Sequence, residues 1–217
     1  MKREASKRER LPVASLVSPA PAGLVRSAPT FKWNVVLTPT LTPAWGASRY
    51  HLQVANSPTG FSAPFEDVVL DTLTWTPTRS YQDGVYYWRV AARDAANRDG
   101  PFSPVYTFTK QYRGTTLVSP LSGAPGNDFP TFVWTAVEGA ARYRIEIAKN
   151  AQFSPLWDSA DSHNTRFMPT KKYDSAQYYW RVAMIDKNGV YGPYTGAVFL
   201  NDPLPHKVYL PGVLKNR

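Results

Sequence analysis

The sequence predicts an all-β chain: two β-sandwiches in tandem, with a short basic extension at either end. Three observations predict it. A series of motifs occurs twice in the same order, 92 to 101 residues apart. Within each copy apolar residues alternate with a period of two, as in strands that lay one face on a core. The composition, with 20 Pro, 13 Gly and 14% aromatic residues, favours many short strands and turns, and no segment carries the 3.6-residue stripe of a long helix.

The repeated elements follow in chain order. Leu16-Val-Ser-Pro19 returns as Leu117-Val-Ser-Pro120, and Pro29-Thr-Phe-Lys-Trp33 as Pro130-Thr-Phe-Val-Trp134, both at an offset of 101. Arg49-Tyr-His-Leu-Gln-Val-Ala55 matches Arg142-Tyr-Arg-Ile-Glu-Ile-Ala148 at 93. Tyr86-Tyr-Trp-Arg-Val-Ala91 and Gly100-Pro-Phe-Ser103 match Tyr178-Tyr-Trp-Arg-Val-Ala183 and Gly192-Pro-Tyr-Thr195 at 92. The first copy therefore carries about eight extra residues between Trp33 and Tyr50. In the strand of the Tyr-Tyr-Trp-Arg motif, Tyr86, Trp88 and Val90 alternate with Tyr87, Arg89 and Ala91. Its copy sets Tyr178, Trp180 and Val182 against Tyr179, Arg181 and Ala183. Tyr50, Leu52 and Val54 point inward beside Arg49, His51 and Gln53 pointing outward. Further short strands are expected at Phe65–Asp71, Leu73–Pro77 and Val105–Thr109. The outward Tyr87, Arg89, Tyr179 and Arg181 are expected to pack against the protein's own surface, across strands to Arg49 or Arg142.

As a set, these motifs resemble bacterial fibronectin type III domains of the kind strung in tandem on secreted and surface proteins; the likeness covers roughly residues 15–201. It carries the entry Leu-Val-Ser-Pro, the Pro-Thr-Phe-x-Trp strand, the Ala-x-Arg-Tyr strand, Tyr-Tyr-Trp-Arg-Val-Ala with a trailing Asp94 or Asp186, and Gly-Pro-aromatic-Ser/Thr. It implies two fibronectin type III-like β-sandwiches, at 15–112 (with an insertion at 35–46) and 113–202, a basic extension at 1–14 and a tail at 203–217. It further implies a disulfide-free core built on Trp33, Tyr86 and Trp88 in one copy and Trp134, Tyr178 and Trp180 in the other.

Composition excludes several functions. The chain has no cysteine, hence no disulfide, Cys-based zinc site or thiol nucleophile. Its net charge of +9 is concentrated at the ends: residues 1–15 carry a net +3 and residues 203–217 another +3. That distribution reads as solvated basic tails rather than a nucleic-acid footprint, which clusters on one folded face. No apolar run reaches the roughly 18 residues of a membrane span. The start, Met1–Arg10, has the charge of a signal peptide, but the apolar stretch after it is broken by Pro12, Pro19 and Pro21, so no export signal is evident. His51, His163 and His206 are far apart and none has metal-ligand spacing; His51 is expected to face solvent. Asp94–Gly100 superficially resembles a calcium loop but reads as a hairpin turn, its role filled in the second copy by Lys187-Asn188-Gly189 without the acids. No catalytic constellation, cofactor motif or metal site emerges.

Two segments are left as candidate recognition elements. The insertion, VVLTPTLTPAWG, is proline-stiffened and lies at a sandwich pole used for recognition in immunoglobulin-like domains; its Leu41 and Trp45 either fold back over the domain or meet a partner. The tail carries Val208, Tyr209, Leu210, Val213 and Leu214, which pack on the second sandwich or add as a strand to a neighbouring sheet. The functional expectation is a non-catalytic structural or adhesive module, extracellular or at the cell surface, with protein partners in a larger assembly or self-association. The alternative is an accessory carbohydrate-binding unit presenting Trp45, Trp75 and Trp157 to polysaccharide.

Overall fold

The computed structural model describes residues 11–37 and 47–202. The chain divides into two compact units, Met1–Tyr112 and Arg113–Arg217. Unit 1 contains β1 (Leu16–Ser18), β2 (Gly23–Val25), β3 (Phe31–Trp33), β4 (Arg49–Ala55), β5 (Glu66–Leu70), β6 (Thr74–Trp75), β7 (Gly84–Arg93), β8 (Asp99–Phe102) and β9 (Tyr106–Lys110). Unit 2 contains β10 (Leu117–Ser119), β11 (Phe132–Trp134), β12 (Arg142–Ala148), β13 (Asp158–Ser162), β14 (Arg166–Phe167), β15 (Ala176–Ile185) and β16 (Thr195–Asn201). In unit 1 a β1-β3-β6 sheet faces a β2-β9-β7-β4-β5 sheet, with β8 also on β7; in unit 2 β10-β11-β14 faces β13-β12-β15-β16. Strand β6 is shorter than the alternation predicts, because Pro77 has no N–H with which to extend the ladder.

Alternation puts large aromatics on both inner faces, and the ring contacts around the central phenylalanine recur in the two cores. Phe31 meets Trp88 edge-on at 5.2 Å and Phe108 at 5.8 Å; Phe132 meets Trp180 at 5.1 Å and Phe199 at 5.8 Å. Trp33 lies 5.7 Å from Tyr50, and Trp134 lies 5.6 Å from Tyr143. Trp33, Tyr86, Trp88, Trp134, Tyr178 and Trp180 are all buried. One difference is polar: the Trp180 indole N–H donates to the Pro120 carbonyl at 2.9 Å, whereas the buried Trp88 indole has no such partner among the described residues.

The insertion leaves the fold at a closed base. The Val36 N–H donates to the Tyr50 hydroxyl at 3.0 Å, and the Ala47 N–H donates to the Val36 carbonyl at 3.0 Å. Unit 2 has the same pair of bonds: Val137 N–H to the Tyr143 hydroxyl at 3.0 Å, and Ala140 N–H to the Val137 carbonyl at 3.2 Å. Ten residues, 37–46, stand in unit 1 where Glu138 and Gly139 suffice in unit 2, and Gly139 serves there at φ 83°, a conformation open to glycine at no steric cost.

The second divergence is at a sheet edge. In unit 1, β2 runs parallel to β9, pairing Gly23 with Phe108 and Val25 with Lys110. The corresponding segment of unit 2 is Ala124-Pro125-Gly126, and Pro125 has no N–H for a ladder. Among the described residues no strand pairs with the outer edge of β16.

Candidate functional site

The polar outer face of each larger sheet is organised around one arginine. Register sets Arg89 of β7 opposite Gln53 of β4, and Arg181 of β15 opposite Glu146 of β12. Arg89 donates from Nε and Nη2 to Gln53 Oε1 at 3.0 and 2.7 Å. Its guanidinium carbon lies 4.2 Å from the centre of the Phe61 ring and 4.0 Å from that of Phe102. Phe61 stands on a 3-10 turn, Gly60–Ser62, just after β4, and Phe102 ends β8. Arg181 donates to Glu146 Oε2 from Nε at 2.8 Å and Nη2 at 2.7 Å, between Phe153 at 4.1 Å and Tyr194 at 4.3 Å. Tyr194 donates to Glu146 Oε1 at 3.3 Å, and burial together with that carboxylate pushes its hydroxyl up to about 12.

Each guanidinium is thus stacked on both faces and hydrogen-bonded along its edge, a geometry that planar Arg allows and Lys does not. These contacts correct the expected partners: the register places Arg49 opposite Arg93 and Arg142 opposite Ile185, several residues away from Arg89 and Arg181. The two covering rings had a sequence signal in the repeat itself. Phe61-Ser and Phe153-Ser are 92 residues apart, the offset that also separates Arg89 from Arg181 and Phe102 from Tyr194.

His51 is outward but not open to solvent, a second correction; its side chain is 12% exposed. Its Nδ1 meets Asp99 Oδ2 at 2.7 Å and its Nε2 meets Asp67 Oδ1, while Arg93 donates to Asp99 at 2.6 Å. Burial pushes the Asp99 carboxyl up, but hydrogen bonds from His51 and Arg93 outweigh it and hold the group below the usual carboxylate range. Both ring nitrogens of His51 are therefore engaged by carboxylates of its own unit. The two acids approach opposite sides of the ring and do not converge, and among the described residues no group of three or more His, Cys, Asp or Glu side chains is placed to hold a metal ion.

The hairpin turns are closed by aspartates in both copies. Asp94 accepts from the Ala96 and Arg98 N–H groups at 2.9 and 3.0 Å; Asp186 accepts from those of Asn188 and Val190 at 2.9 Å each. The second copy's turn is therefore not without an acid, since Asp186, just before Lys187, fills the role of Asp94. Asn97 (φ 59°) and Gly189 (φ 83°) supply the left-handed residue each turn needs.

Leu41, Trp45, Val208, Tyr209, Leu210, Val213 and Leu214 lie outside the described residues. Of the aromatics a polysaccharide would need, Trp75 is half-buried against Phe31, with ring centres 5.9 Å apart. Trp157 is half-buried beneath the ammonium groups of Lys149 at 4.1 Å and Lys171 at 4.7 Å. Among the described residues no helix is long and apolar enough to cross a membrane.

No protein-family profile and no curated protein matches the chain by sequence. Among solved structures, the chicken CNTN1 FN1–FN3 domains are similar over 88% of this chain at 13% identity and a TM-score of 0.35, and the chain spans 66% of that segment's length. A two-domain fibronectin type III segment of chicken tenascin is similar over 88% of this chain and 99% of its own, at 11% identity and a TM-score of 0.39. The Clostridium thermocellum CbhA fibronectin(III)-like modules are similar over 89% of this chain and 97% of their own, at 15% identity and a TM-score of 0.33. The fold is defined by strand order. A three-stranded sheet of the first, second and fifth main strands faces one of the third, fourth, sixth and seventh, twice over. The chain is a tandem pair of fibronectin type III-like β-sandwiches.

Proposed function

We propose that the protein is a non-catalytic structural or adhesive module, a subunit of an extracellular or cell-surface assembly that binds through its insertion and its tail. The observation that carries this reading is the closed base of the insertion. The Val36–Tyr50 and Val36–Ala47 bonds have exact counterparts in unit 2, so the fold is complete without the added residues. Those residues bring Leu41 and Trp45, apolar side chains that the core does not require. Interfaces are enriched in tryptophan. Supporting it, the outward Arg89, Arg181 and His51 are consumed by internal contacts, so the groups with the most chemistry to offer are committed to holding the sheet face together.

The polysaccharide alternative is weakened by Trp75 and Trp157, whose rings are packed rather than laid flat to solvent. Size fractionation of the native sample tests the assembly reading: the chain should migrate well above its own 24.3 kDa, and shortening Val35–Gly46 should lower that mass. Migration as a free monomer, together with retention on insoluble polysaccharide, would favour the alternative.

A further inference from the structure

The edges of the two larger sheets are treated unequally. Strand β5 carries Glu66 and Asp67, β13 carries Asp158 and Asp161, and β2 is only three residues long. Charge and shortness are the usual means of keeping a sheet edge from pairing with another chain. Strand β16 has neither. Thr195-Gly-Ala-Val-Phe-Leu-Asn201 is uncharged and proline-free, and pairs with β15 in an unbroken register of seven residues. Leu200 on its outer side is 59% exposed. The strand that covers this edge in unit 1 has no described counterpart in unit 2, where Pro125 occupies its place.

We propose that this edge is where two copies of the chain join, β16 pairing antiparallel with the partner's β16 about a two-fold axis at Val198. The sequence of the strand is self-complementary in that register. Val198 faces the partner's Val198, Ala197 faces the partner's Phe199 and Gly196 faces the partner's Leu200; the pairing stops short of Asn201, which is buried and accepts from the Asn127 N–H of its own unit at 2.9 Å. Small residues meet large ones, and no like charges meet. The exposed Leu200 crosses a position with no side chain on the other strand. Five paired residues supply roughly four to six backbone hydrogen bonds, and the two four-stranded sheets become one of eight. The contact is isologous, so it closes as a dimer rather than running on as a fibre. This names one partner within the assembly proposed above and rests on that reading only in requiring that the chain associates.

The test uses the full chain and sedimentation over a concentration series. Val198 is partly exposed and outward, so Val198→Lys should fold, and it places two ammonium groups face to face at the axis. The expected result is a wild-type dimer that the substitution weakens by about tenfold or more, with unchanged circular dichroism and melting temperature. Because the chain has no cysteine, Val198→Cys gives it a single thiol; mild oxidation should link the dimer there, and Val118→Cys, an exposed position on β10, should not link it. A monomer at every concentration overturns the proposal. So does a monomer that dimerises only when residues 203–217 are removed, which would mean that the chain's own tail fills the edge. A dimer that survives Val198→Lys and does not link through Val198→Cys also overturns it, while leaving the wider assembly reading intact.

Discussion

The Arg181 guanidinium carbon lies 4.1 Å from the centre of the Phe153 ring, and Phe153 adopts φ 55°, a left-handed conformation rare for so bulky a residue. Such a backbone costs of order 1–2 kcal/mol, so the stacked arginine and its neighbours must offset it. In unit 1 Phe61 covers Arg89 from a 3-10 turn instead. Arg181→Ala should therefore destabilise the protein by about 2 kcal/mol, through lost stacking and charge-assisted hydrogen bonds. Arg181→Lys should recover little of this, because an ammonium cannot lie flat between two rings. Urea unfolding of the two variants checks it; full recovery with Lys would show that charge alone matters.

The two core tryptophans should respond differently to loss of the indole nitrogen. Trp180 donates to Pro120, and Trp88 has no such partner among the described residues. Trp180→Phe should cost about 1 kcal/mol more than Trp88→Phe, the worth of one net hydrogen bond plus an orphaned buried carbonyl. Trp180→Ala should cost about 3–5 kcal/mol through the cavity it leaves. Equal losses for the two Phe variants would remove the Pro120 bond from the account.

Shortening Val35–Gly46 to the five residues of Thr135–Gly139 should barely move the melting temperature. The base bonds at Val36 are kept in unit 2 without the extra chain, and loop length by itself costs little. A large fall in melting temperature with association unchanged would make the insertion part of the sandwich instead.

Stability should fall at both extremes of pH. Asp99 is held low against burial by His51 and Arg93, Asp94 by Arg98, and Asp174 by the Tyr178 hydroxyl and Lys149. A carboxylate with a depressed folded value stabilises above its unfolded value, about 3.9, and loses that contribution as pH falls below it. Tyr81, Tyr173 and Tyr178 are pushed up first by burial and then by Glu66, Asp158 and Asp174. Their stabilisation is complete below about 10, the unfolded value, and is lost as pH rises past it. Melting temperature measured from pH 3 to 11 should fall below about 4 and again above about 10; an unchanged value at either end would contradict these assignments.

What the sequence made legible was whatever both copies share and whatever alternation encodes. Trp33, Trp88 and their copies fall on inward positions of period-two strands, and burial follows from that geometry. Partners that register alone determines were not legible. The pairing of Arg89 with Gln53 depends on how β4 slides against β7, which no single strand encodes. His51 reads as outward and is outward, but its enclosure by Asp67 and Asp99 comes from β5 and β8 meeting over it. That no described strand pairs with the outer edge of β16 is visible only once β2 is seen to cover β9, because absence of a strand has no local signature beyond Pro125.

The proposed assembly role is tested most directly by chemical cross-linking of the native sample followed by mass spectrometry. Lys207 and Lys215 stand in the tail beside Val208, Leu210, Val213 and Leu214 and serve as reporters of what that segment touches. Both lysines should link to other polypeptides, and deleting Lys207–Arg217 should remove the chain from the assembly while leaving both sandwiches folded. Links from Lys207 and Lys215 confined to Lys149, Lys171, Lys172 or Lys187 of the same molecule, with a deletion that still assembles, would contradict it.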